Sequence, residues 1–68
     1  MNIDDVAFRL SELRILAGMT QDEVAALSGV NVKSLSSFET GRRITSMKLI
    51  QLQRLLKVYG YTERDFFR

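Results

Sequence analysis

All four glycines in this 68-residue chain stand where a helix must stop, and none stands inside one. Gly18, Gly29, Gly41 and Gly60 each follow a stretch of helical apolar spacing, where a residue without a Cβ closes the last turn. Helix beginnings are marked as regularly. A short polar residue can cap orphaned N–H groups, with one apolar residue before it and another four positions into the helix. Thr20 has Met19 and Val24 in those places, Asn31 has Val30 and Leu35, Thr62 has Tyr61 and Phe66, and Asn2 has Met1 and Val6. Glu23, Asp65 and Asp5 sit where a capping box needs its acid. Proline and β-branched alternation are both absent. The spacing predicts an all-α chain of five helices, at about 3–17, 21–28, 32–40, 46–59 and 63–67, forming one domain over 1–68.

The apolar stripes supply the expected core. Val6, Leu10, Leu13 and Ala17 share a face of the first helix, and Val24, Ala25 and Leu27 face inward from the second. Leu35 and Phe38 anchor the third, and Leu49, Leu52, Leu56 and Tyr59, flanked by Leu55, line the fourth. A chain this short buries only about 60% of the surface its unfolded form exposes, so that core is thin. It holds no cysteine and no histidine, which removes disulfides, thiolate or imidazole metal sites and the usual base near neutral pH. Asp4, Asp5 and Glu12 have no partners for acid–base work, and the chain is too small for a substrate pocket. No apolar run approaches the ~20 residues of a membrane span, and no signal peptide opens the chain. The expectation is a cytoplasmic, non-enzymatic binding module without cofactor or metal.

Charge is unevenly placed. Residues 1–32 carry two arginines against five carboxylates, a net of −3, while residues 33–57 carry six cations against Glu39 alone, a net of +5. A basic middle suits an anionic partner docking on one side. The third helix, Val32-Lys33-Ser34-Leu35-Ser36-Ser37-Phe38-Glu39-Thr40, is odd for a helix that only closes a core. Serine is a mediocre helix former, so three of them bring no stability. Opposite Leu35 and Phe38 it presents Val32, Lys33, Ser36, Ser37 and Thr40, short side chains with one lysine. Such a face lets a helix lie close in a DNA major groove, with hydroxyls in reach of base edges. The tight turn through Gly29 that joins it to the second helix makes a helix-turn-helix.

The residues from about Leu10 to Phe67 resemble the helix-turn-helix family of phage Cro and repressor N-terminal domains and related Xre-like bacterial regulators. Three stretches carry the likeness: Arg14-x-x-x-Gly18-Met19-Thr20-Gln21-x-Glu23-Val24-Ala25, Ser34-Leu35-x-x-Phe38-Glu39-x-Gly41-Arg42-Arg43, and Leu56-x-x-Tyr59-Gly60-Tyr61-Thr62-x-x-Asp65-Phe66. The resemblance implies a lambda-repressor-like domain with its helix-turn-helix at helices 2 and 3. It implies base contacts from Val32, Lys33 and Ser37, to which Ser36 adds by its outward position. It implies phosphate contacts from Gln21, Asn31, Ser34, Thr40, Arg42 and Arg43. Arg14 and Glu39 match a family pair that bonds across the domain, with Arg14 also a candidate for phosphate. The base-reading positions differ from the glutamines of well-known members, and the loop 42–48 is longer by about two residues and lacks the usual proline. No operator sequence follows from the likeness.

One copy of such a helix reads only a few base pairs. Family members bind as two-fold dimers on inverted half-sites about one DNA turn apart. The resemblance therefore implies a homodimer on a palindromic operator, acting as a transcriptional regulator or repressor. The aromatics Tyr59, Tyr61, Phe66 and Phe67, crowded into the last ten residues, are the expected dimer surface. The alternative is an antitoxin-like or adaptor module that chiefly holds another protein, such as a toxin or an antirepressor, with DNA secondary.

Overall fold

The computed structural model describes residues 3–42 and 46–68. Five helices follow in chain order: α1 (Ile3–Leu16), α2 (Gln21–Ser28), α3 (Val32–Thr40), α4 (Leu49–Tyr59) and α5 (Glu63–Phe66). No strand occurs among the described residues. α1 packs on α3, α2 wedges between α3 and α4, and α5 closes against α4. None of these helices is long and apolar enough to cross a membrane.

The cap residues place the helix starts. Thr20 Oγ1 accepts from the Glu23 N–H, and the Glu23 carboxylate accepts from the Thr20 N–H in return. Thr62 and Asp65 form the same reciprocal pair at α5. Asn31 Oδ1 accepts from the Lys33 N–H at 2.8 Å and starts α3. Asn2, the cap expected for α1, lies outside the described residues. At the other ends Gly29 and Gly41 take left-handed conformations, with φ of 76° and 79°, that turn the chain out of α2 and α3.

Ala7, Leu10 and Leu13 of α1 meet Val24, Val30, Leu35 and Phe38, with Leu52, Leu55, Leu56 and Phe66 completing the core. Four apolar residues expected there lie outside it: Ala25 is only half-buried, and the other three are exposed. Ala17 is beyond the end of α1, and Ala7 fills the core instead. Leu27 is 67% exposed, its expected inward place taken by Ser28, whose Oγ accepts from the buried Val30 N–H. Leu49 is exposed because α4 starts at Leu49 rather than 46, leaving it at the solvent edge of the first turn. There the Lys48 N–H donates to Gln51 Oε1 at 2.8 Å.

Among the four aromatics expected at a dimer surface, Phe66 is wholly buried. It is a core residue, capped by the Arg9 guanidinium 5.5 Å from its ring centroid. Tyr59 is also packed against the core, and its Oη is buried without a hydrogen-bond partner among the described residues. The dimer expectation is corrected accordingly: only Tyr61 and Phe67, 39% and 53% exposed, remain available.

Candidate nucleic-acid interface

α3 is held by its apolar side and offers its polar side. Leu35 and Phe38 are buried, which turns Val32, Lys33, Ser36, Ser37 and Thr40 toward the surface. Lys33 and Thr40 are exposed, whereas Val32, Ser36 and Ser37 are half-buried. Asn31 spends its side-chain oxygen on the cap, which leaves its amide N–H groups free to donate. Thr40 Oγ1 donates back to the Ser36 and Ser37 carbonyls, both at 3.1 Å, so its hydroxyl proton is committed within the helix.

One carboxylate fixes the position of α3 relative to the first two helices. Glu39, whose side chain is 4% exposed, accepts from Arg14 Nε at 2.9 Å to Oε2 and 3.1 Å to Oε1. It also accepts from Gln21 Nε2 at 3.1 Å. Arg14 Nη1 donates further to the Met19 carbonyl at the turn before α2. The Glu39 hydrogen bond, more than its charge, holds the Arg14 pKa above its ordinary value. Arg14 is therefore turned inward, with two of its three nitrogens spent inside the protein. Gln21 stands at the first position of α2 with its amide braced by α3.

Beside α3 a hollow of about 390 Å³ opens between its outward side and the start of α4. Lys33, Ser34 and Ser37 form one wall, and Arg42, Ser46, Lys48 and Gln51 the other, over the edge of Phe38. Three cations thus converge on a site that also faces the N-terminus of α4, where unsatisfied N–H groups favour an anion. Lys48 and Gln51 were not among the residues singled out from the sequence. Lys48 is the residue immediately before α4, so placing that helix two or three residues too early hid it. Arg43 lies outside the described residues.

The helix-turn-helix family profile matches residues 10–66 of the chain. Two curated relatives, each described as an HTH-type transcriptional regulator PuuR, come from Escherichia coli (strain K12) and Shigella flexneri. Each is 41% identical over 59 residues, covering 87% of this chain and 31% of the relative. The chain therefore spans about a third of the length of the relatives it matches. With a small-residue third helix braced through Glu39 and a match from α1 into α5, the chain belongs to the Cro-like helix-turn-helix family.

Proposed function

We propose that this chain forms a single DNA-binding domain that places α3 in the major groove of duplex DNA and represses transcription there. The observation that carries the reading is the outward side of α3: small polar side chains flanked by Lys33, with Arg42 and Lys48 converging beside it. A helix presenting Ser36 and Ser37 can approach base edges more closely than one presenting long side chains. Lys33 is placed to donate to guanine O6 and N7, and Val32 to meet a thymine methyl. Gln21, the Asn31 amide, Ser34, Arg42 and Arg43 are assigned to the sugar-phosphate backbone, with Lys48 and Gln51 added, and Thr40 joins them by turning its hydroxyl from the Ser36 and Ser37 carbonyls. Arg14 is assigned to bracing.

The functional unit is a homodimer on an inverted repeat with half-sites about 34 Å apart, joined through Tyr61 and Phe67. It works in the cytoplasm at the nucleoid. The relatives' description as transcriptional regulators supports the regulatory role. A protein-holding role for α3 is not favoured, because both of its large apolar side chains are buried and its outward side offers no apolar anchor.

Binding of Lys33→Ala to a specific duplex tests the assignment. The change is expected to weaken specific binding by about 1–3 kcal/mol while leaving the melting temperature unchanged. Equal loss on specific and random duplexes, with a shallower salt dependence, would instead make Lys33 a phosphate ligand.

A further inference from the structure

Two outward helix surfaces, one on α1 and one on α4, are left uncovered among the described residues, and they match each other. On α1, Phe8, Glu12 and Ile15 follow at intervals of four and three and point away from the core, with Leu16 beside them. Phe8 is 68% exposed, Ile15 is nearly as open, and Leu16 is more so. On α4, Ile50, Arg54 and Lys57 follow at the same two intervals and also point outward. Leu27 and Val58 give that surface an apolar floor between α2 and α4, with Arg54 and Lys57 along its rim. The α1 surface is apolar with Asp5 and Glu12 outnumbering Arg9, and the other is apolar and basic. Neither Glu12 nor Lys57 has an ion-pair partner among the described residues.

The exposed leucines and aromatics are not needed by the fold. The core is complete without Phe8, Ile15, Leu16 and Leu27. The asymmetry also runs through the whole chain, since residues 1–32 carry a net of −3 and residues 33–57 a net of +5. Neither surface includes the outward side of α3 that would meet DNA, so both stay open on a DNA-bound copy.

We propose that the outer side of α1 in one copy docks on the α2–α4 groove of a second copy, in a head-to-tail contact separate from any two-fold dimer. Phe8 and Ile15 meet Leu27 and Val58, while Glu12 faces Lys57. Two different surfaces make this contact heterologous, so it leaves one free surface at each end and can extend along neighbouring DNA sites. One helix face per partner is at the small end of protein interfaces, below roughly 1,200 Å² of total buried surface. The contact is therefore weak in free solution and is expressed as cooperative occupation of adjacent sites, where DNA holds the copies close together.

The chain has no cysteine, so single introduced thiols report the geometry without background. Glu12→Cys and Lys57→Cys, both at exposed positions, are prepared separately and oxidised alone and mixed, without DNA and at protein concentrations high enough to populate a weak contact. The contact predicts that the mixed 12–57 disulfide forms at least about tenfold faster than the 12–12 or 57–57 species, because docking raises the local thiol concentration. Adding Phe8→Ser to the Glu12→Cys chain should remove that advantage. Equal rates for the three disulfides, or a dominant 12–12 species, would overturn the proposal. The assay reads no DNA binding, so its result stands apart from that of the DNA reading.

Discussion

Tyr59 is the residue whose chemistry departs most from its ordinary value. Its ring packs against the core and its hydroxyl is buried with no hydrogen-bond partner among the described residues. Burial, and after it the negative charge of Glu39, pushes its pKa from 10.0 to about 12, partly offset by Arg14. The folded state thus holds the phenol proton more tightly than the unfolded chain does. That preference contributes stability in full below pH 10 and loses it as pH rises toward 12. Tyr59→Phe removes an unsatisfied hydroxyl together with the titration. It should leave the neutral-pH melting temperature unchanged or raised, and flatten the alkaline fall. Thermal melts at neutral pH and across that alkaline window check both. A variant that melts lower at neutral pH would mean the hydroxyl has a partner after all.

Between elements, Glu39 joins three helices through one carboxylate, with Arg14 from α1 and Gln21 from α2. Removing one member of such a pair leaves the other buried and uncompensated. Glu39→Ala should cost about 3 kcal/mol, read as a lowered urea midpoint, and should loosen α3 against the rest of the domain. An unchanged midpoint would show the pair to be energetically idle. The helix boundaries explain what could be read from the residues alone. Polar caps, staples and closing glycines are local devices, so α2 and α3 occupy the spans their caps predict. α4 does not, because Lys48 is no short polar cap, so no local signal marks where that helix begins. Periodicity locates the middle of a stripe but not its edges. Ala17, Leu27 and Leu49 lie on such edges, and whether an edge is covered depends on the neighbouring helix. The hollow beside α3 was hidden for the same reason, since Lys48 and Gln51 reach it only through the packing of α4.

At the scale of the molecule, the C-terminal aromatics divide between two tasks. Phe66 fills the core, whereas Phe67 meets it edge-on at 5.0 Å and stays half exposed, and Tyr61 is exposed too. Phe66→Ala should cost about 3–5 kcal/mol, enough to unfold much of a domain this small. Phe67→Ala with Tyr61→Ala should instead preserve the circular dichroism spectrum and weaken dimerisation in sedimentation equilibrium. If that double variant remains as dimeric as the parent, the two-fold contact lies elsewhere.

The central claim is that α3 reads duplex DNA through Lys33, Val32 and the serines beside them. Selection from a random duplex pool at near-physiological salt tests it most directly, with the parent protein and a Lys33→Ala, Ser37→Ala variant run side by side. The account predicts that the parent enriches an inverted repeat with half-sites about one turn apart. The variant should stay folded and bind DNA in a salt-sensitive way without recovering that repeat. If the two proteins enrich the same sequence, or the parent enriches none, α3 is not the reading element.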